Sequence, residues 1–290
     1  MSRSALVVGC GYLGARVAER WHSQGWQVHA VTRSEKHADE FRSRGWVPTV
    51  ADVTDPETLA SLPEVDTLLV AVGYDRSGEQ SIDEVYAIGM KNLLAAAPNA
   101  TGRILYISTT GVYGDAAGDW IDESTPTAPQ RAGGRASLAA EQLLRESRFA
   151  ERSVVLRLAG IYGPERLPYL KQLASGEAIE APQSGYLNLI HVADAASVAE
   201  WFGDPSRPLS GPELYCVCDG HPVVRRDYYG EAARLLNAPE PTFIAPAADS
   251  PRAARASSNR RVSNKKLVDT LPFGLSYPSY REGLQAIVRS

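Results

Sequence analysis

The chain predicts a doubly wound α/β fold, a parallel sheet with helices on both faces, followed by a smaller C-terminal region of different texture. Three observations carry this. Short runs rich in Val, Ile and Leu alternate with helix-compatible segments through the first half. Those runs are near-continuously apolar rather than apolar only at every second residue, as strands covered on both faces tend to be. A glycine-spaced turn, Gly9-Cys10-Gly11-Tyr12-Leu13-Gly14, separates the first run from the first helical pattern.

The elements follow in order. SALVVG (Ser4 to Gly9) reads as the first strand and about Tyr12 to Gln24 as a helix. WQVHAVT (Trp26 to Thr32) is the second strand, and the polar EKHADEFRSR is a helix. WVPTVAD, DTLLVAV and GRILYIS supply further strands, with a helical segment around Ile82 to Ala97 before the last. Beyond Leu156, proline and glycine crowd RLAGIYGPERLPYL, APQSGYLNL and the stretch from Gly203 to Pro212, so loops lengthen and elements shorten. HVADAASVAEWF (His191 to Phe202) is again a helix. We expect a main domain over residues 1–160, rejoined by about 187–218, and a substrate-binding region from 161–186 and 219–290.

Composition narrows the function. A chain of 290 residues with 44% hydrophobic content can bury a sizeable core as an ordinary globular protein. Its net charge of −4 gives no electrostatic reason to expect nucleic acid or an acidic membrane as partner. Arg3 before ALVVGCGYLGA imitates a secretion signal, but the spaced glycines and the following helix argue for a strand and its turn. No apolar run approaches the roughly 20 residues of a membrane span. Cys10, Cys216 and Cys218 are sparse and lack metal-site spacing, and the five histidines are dispersed. A cytoplasmic, reducing compartment and no metal are the expectation.

The glycine turn is G-x-G-x-x-G between a strand and a helix. Gly9 allows the tight turn, Gly11 lets the backbone approach a diphosphate, and Gly14 lets helix and strand pack closely. The helix start, at Tyr12, Leu13 and Gly14, offers free N–H groups and a positive dipole end to phosphates. About 20 residues on, an acid would bond a ribose 2′-hydroxyl; here stand Thr32, Arg33 and Ser34. With no carboxylate to repel a 2′-phosphate, and Arg33 able to pair with one, NADP is expected over NAD. An exposed surface charge is the alternative for Arg33. Asp52 and Val53 end the third strand near where adenine would lie, with Asp52 as a loop-starting cap the alternative. Ala71, Val72 and Gly73 close the fourth strand with small residues suited to the second ribose.

One charge run remains. From Pro251 to Leu267 stand Arg252, Arg255, Arg260, Arg261, Lys265 and Lys266 with no acid among them. It reads either as a solvated loop and helix start or as a clamp for a phosphate-bearing substrate.

Beyond the glycine turn, LYISTTGVYGD (Leu105 to Asp115), ESTP (Glu123 to Pro126), LAAEQLL (Leu138 to Leu144), RLAGIYGP (Arg157 to Pro164), NLIHVADAA (Asn188 to Ala196) and RVSNKKL (Arg261 to Leu267) occur in order. In this the chain resembles the extended short-chain dehydrogenase/reductases, the NAD-dependent epimerase/dehydratase family, over nearly its whole length. The resemblance implies a Rossmann fold, a nicotinamide dinucleotide, and an oxidoreductase or epimerase acting on a small or nucleotide-linked substrate. It also implies that a homodimer through two helices of the main domain is one assembly to test.

Two departures stand out. Val8 occupies the first glycine position of the family's nucleotide loop, and Gly133 and Ser137 occupy the positions of its Tyr-x-x-x-Lys pair. In the family the tyrosine is the acid/base and the lysine lowers its pKa. Neither a hydrogen nor an uncharged hydroxyl can fill those roles. Thr109 matches the family's substrate-polarising Ser/Thr, with a β-branched strand end as its alternative. Thr110 and Gly111 stand where the 4,6-dehydratases carry Asp-Glu, which disfavours that chemistry. Tyr113, Tyr162 and His191 are the candidates for a substitute proton donor, with Tyr113 placed in the Val-Tyr-Gly segment beside the expected cleft; packing is the alternative for each. Two functions stay open: an enzyme with an unconventional acid/base, or a non-catalytic protein that senses the dinucleotide.

Overall fold

In the computed structural model, which describes residues 3–247 and 259–289, the apolar runs become β1 (Ser4–Val8), β2 (Gln27–Thr32), β3 (Val47–Val50), β4 (Thr67–Val70) and β5 (Arg103–Thr109). Two later strands, β6 (Ser153–Leu158) and β7 (Glu213–Val217), complete a seven-stranded sheet in the order β7-β6-β5-β4-β1-β2-β3. Every pairing from β3 through to β5 is parallel. Because β4 returns to the far side of β1, the chain reverses its direction of travel between these two strands. A crevice outside their carboxyl ends follows from that reversal.

The helices are α1 (Gly14–Ser23), α2 (Glu35–Ser43), α3 (Gly89–Ala96), α4 (Ala132–Arg145) and α5 (Val192–Gly203). Ser34 caps α2, its hydroxyl accepting the His37 N–H. The helix expected over Ile82 to Ala97 is interrupted: a turn of π-helix over Glu84–Ile88 precedes α3. Gly89 stands at the junction, where a Cβ would lie 2.8 Å from Val53 Cγ2, so only glycine lets the two segments meet this closely. One core cluster, including Leu6, Leu68, Leu93, Ile104, Leu144 and Phe149, fills the space between sheet and helices.

The residues divide into two units. The sheet unit comprises Met1–Val112, Ala132–Arg157 and Ala196–Tyr215, and the second comprises Tyr113–Arg131, Leu158–Ala195 and Cys216–Ser290. This differs from the expected boundaries chiefly at 113–131, which the sequence places in the main domain. The reason is non-local hydrogen bonding. Ala116 and Gly118 donate N–H groups to Asn259 O, and Trp120–Ile121 pairs in parallel with Arg261–Val262. Within the second unit, short two-strand ladders surround a core that includes Tyr162, Leu173, Ile179, Tyr228, Tyr229 and Leu284. That core is aromatic where the sheet unit's is aliphatic.

Inside the sheet unit lies a buried ion pair. Glu141 on α4 receives Arg157 Nη2 at 2.6 Å and Nε at 3.0 Å, and its Oε1 also accepts the Ser108 hydroxyl. The Arg157 and Glu141 side chains are 3% and 0% exposed, so the pair is fully desolvated and ties α4 to the two strands beside it.

Candidate cofactor-binding site

A cleft of about 670 Å³ opens at the carboxyl ends of β1, β2, β3 and β4. Its volume lies within the range of small-molecule and cofactor sites. Gly9, Gly11, Thr32, Arg33, Ser34, Asp52, Val53, Val72 and Gly73 line it, all of them expected from the sequence.

The glycines hold the loop in three different ways. Gly9 has φ +100°, and a Cβ there would fall 2.4 Å from Ala71 O. A Cβ on Gly14 would lie 2.1 Å from Gly9 O, so the start of α1 is drawn against the loop itself. Gly11 and Gly73 meet nothing within 4 Å: their missing side chains leave space that belongs to the cleft. The first two are needed by the fold, and the last two keep the wall open for a ligand.

The start of α1 has no side-chain cap and no acid in its first turn. The Ala15 and Arg16 N–H groups donate to Gly11 O and Leu13 O, so what the helix start offers an anion is its uncapped, acid-free positive dipole end. Together with the two open glycines this fits a diphosphate bridge.

Four expected residues do not line the cleft, for simple reasons. Leu13 is buried and Gly14 is packed against Gly9. Tyr12 lies under the Arg16 guanidinium, 4.2 Å from its ring centre. Ala71 sits behind Gly9, its N–H donating to Val8 O. Their side chains and packing hold the loop in place.

Asp52 accepts both the N–H and the hydroxyl of Thr54, so its carboxylate shapes the turn after β3. The capping reading of the sequence was directed at this kind of role, although the short helix at Pro56–Leu59 is capped by Asp55. Thr32 is buried, with its hydroxyl accepting the Ser34 N–H at 3.3 Å. Arg33 is exposed and 4.0 Å from Asp75, whose carboxyl is held below its ordinary range by hydrogen bonds from Ser77 and, more weakly, by Arg33. Sequence reasoning missed Cys10, His37, Glu40, Phe41 and Arg44, which also line the cleft. The helical spacing of residues 33, 37, 40–41 and 44 is the signal that could have found most of them.

Thr109 ends β5 partly exposed, and its hydroxyl accepts the Gly111 N–H at 3.0 Å. Gly133 and Ser137 both lie on α4. Ser137 is buried, with its hydroxyl bonded to Tyr106, so it is a packing partner within the sheet unit.

The candidate proton donors of the second unit are all enclosed. Tyr113 is 2% exposed with its hydroxyl 3.3 Å from Cys216 Sγ, surroundings that suit packing rather than proton transfer to a bound molecule. Tyr162 is buried and donates to Ser279 O at 3.4 Å. His191 is buried edge-on to Tyr162 and stacked near Tyr277.

The basic run is only partly within the described residues; Arg252 and Arg255 lie outside them. Of the rest, Arg260 donates to Gly114 O, and Arg261 donates to Gly118 O and packs over Trp120 and Tyr186. Lys265 pairs with Asp269. The two arginines are engaged in holding loops of the second unit, and the lysine pairs within its own helix.

One buried acid of the second unit stands apart. Asp219 is 4% exposed; Oδ1 accepts the His221 N–H, while Oδ2 has no hydrogen-bond partner among the described residues. Burial, with Asp194 and Glu282 adding to it, raises its pKa to about 7 against the pull of His221. The folded protein thus holds a proton that the unfolded chain releases near 3.8. Between those values the unfolded state binds fewer protons, so stability should fall as pH rises through the window and level off above about 7. Chemical denaturation of the wild type and Asp219→Asn from pH 4 to 8 checks this. The variant should lose the part of the slope that Asp219 carries; an unchanged slope would show that other groups carry it.

A glycine loop at the switch point of a parallel sheet, an uncapped helix start and a cleft of this size define a dinucleotide-binding protein of Rossmann type. The chain belongs to the NAD dependent epimerase/dehydratase family, whose model matches residues 5–207. It is 28% identical over 286 residues to Protein YeeZ of Escherichia coli strain K12, across 95% of this chain and 97% of that one. It is 29% identical over 239 residues to 4-hydroxy-2-methyl-3-oxo-4-farnesyl-3,4-dihydroquinoline-1-oxide ketoreductase of Stigmatella aurantiaca, across 78% of this chain and 71% of that one. Among solved structures, a conserved protein of unknown function from Silicibacter pomeroyi matches with a TM-score of 0.79 at 32% identity, over 99% of this chain and 98% of that one. No helix among the described residues is long and apolar enough to cross a membrane.

Proposed function

We propose that the protein is an NADP-linked oxidoreductase or epimerase acting on a small or nucleotide-linked substrate, with Thr109 as the hydroxyl that polarises it. The observation that carries the dinucleotide reading is the open wall at Gly11 and Gly73 beside the uncapped start of α1. Thr32, Arg33 and Ser34 at the end of β2 present no carboxylate to a 2′-phosphate, which supports NADP over NAD. When bound, the nicotinamide supplies or accepts a hydride. Thr109, at the carboxyl end of β5, would hydrogen-bond a carbonyl or alcohol oxygen and hold it in line. The Stigmatella relative, named as a ketoreductase, supports reduction of a carbonyl. Cys10, Cys216 and Cys218 are all free thiols, as a reducing compartment requires.

A second reading, a non-catalytic dinucleotide sensor, is favoured by one observation. Neither Gly133 nor the buried Ser137 provides an acid, a base or a charge. Thr109→Val separates the two. For an enzyme, turnover across a panel of carbonyl and sugar-nucleotide substrates should fall by about 10–100-fold, with cofactor affinity unchanged. No turnover by the wild type, with cofactor binding retained, would instead establish the sensor.

A further inference from the structure

One face of α2 runs along the cleft: Arg33 and Ser34 precede the helix, His37 and Glu40 lie within it, and Arg44 follows its last turn. The two arginines at its ends differ. Arg33 is committed, loosely, to Asp75 across the cleft mouth. Arg44 lines the cleft, and its guanidinium makes no hydrogen bond or ion pair to any described residue; it lies over the Trp46 ring, 5.3 Å from the ring centre. A cation on an aromatic face keeps its outward N–H groups free for a second partner. Its field also reaches the glycine loop, where it opposes the burial that pushes the Cys10 thiol up to about 12.

The charges facing this space are few. Asp52 is occupied by Thr54, and Asp75 by Ser77 and Arg33. Glu40 is the one carboxylate on the helix face itself, set against Arg33, His37 and Arg44.

We propose that Arg44 is a specificity-determining residue that grips the 2′-phosphate of the dinucleotide from the end of α2, in the same cleft that Arg33 lines. This rests on the NADP reading above. The phosphate would bridge a guanidinium that has no acidic partner and one held only by a weak exposed pair. Charge-assisted contacts of this kind then separate NADPH from NADH. The end of β2, where cofactor choice is usually read, would supply only half of the clamp.

The test is binding of NADPH, NADH and 2′,5′-ADP to the full-length wild type, Arg44→Met and Arg44→Lys. Methionine keeps a flexible stem on Trp46 and removes the charge. Arg44→Met should weaken NADPH and 2′,5′-ADP by about tenfold or more and leave NADH within twofold, with lysine recovering part of the loss. If all ligands weaken equally, or none does, Arg44 only covers Trp46 and the proposal is overturned. If the wild type itself binds NADH as tightly as NADPH, it is the NADP reading that fails, and the variants are not needed to show it.

Discussion

Gly11→Val is expected to leave the protein folded and to weaken dinucleotide binding by about a hundredfold or more, close to 2.8 kcal/mol. A side chain at this position meets no protein atom within 4 Å, so it projects into the space the diphosphate needs. Gly14→Ala should do the opposite. Its Cβ would stand 2.1 Å from Gly9 O, and backbone cannot yield as a flexible side chain does. A loss of about 3 kcal/mol or more is expected, seen as a lowered denaturation midpoint before any ligand is added. Measured together, the two variants separate the loop's two duties. Equal loss of stability in both would show that Gly11 serves the fold as well, and full binding by a folded Gly11→Val would remove the diphosphate from this loop.

Glu141→Ala should cost about 3–5 kcal/mol, because it leaves the Arg157 guanidinium buried without its carboxylate and strands the Ser108 hydroxyl. The double variant Glu141→Leu with Arg157→Met removes both charges and keeps the volume, so it should recover most of that loss. Urea denaturation of the wild type, Glu141→Leu, Arg157→Met and the double variant gives the coupling directly. A double variant no more stable than Glu141→Ala would show that the pair contributes more than mutual neutralisation, through its ties between α4, β5 and β6.

The two effects differ in how far the chain announces them. Gly9, Gly11 and Gly14 are legible because the turn they make is local: a strand, three spaced glycines and a helix lie within about twenty residues. The apolar runs of β1, β2, β4 and β5 are legible for the same reason, since a strand buried on both faces tends to be near-continuously apolar. The π-helical turn before α3 was not legible. It ends at Gly89, which packs against Val53, a residue far away in the chain. Nor was the assignment of residues 113–131 to the second unit, which depends on backbone pairing with residues near 260.

The site divides along the same line. Arg33 could be marked as a cofactor-facing cation from its place at the end of β2. Arg44 carries only the weaker mark of helical spacing, because its access to the cleft depends on the length of α2 and on Trp46 under the guanidinium at the helix end. Tyr113, a reasonable proton donor on the strength of its motif, is enclosed beside Cys216, a neighbour more than a hundred residues away. What the residues alone determined, then, is the sheet and the glycine loop, both properties of short segments read in order. Which side chains share a wall, which charges are already occupied and which hydroxyls are shut away were decided only by the tertiary structure, because burial and hydrogen bonding depend on contacts between segments distant in sequence.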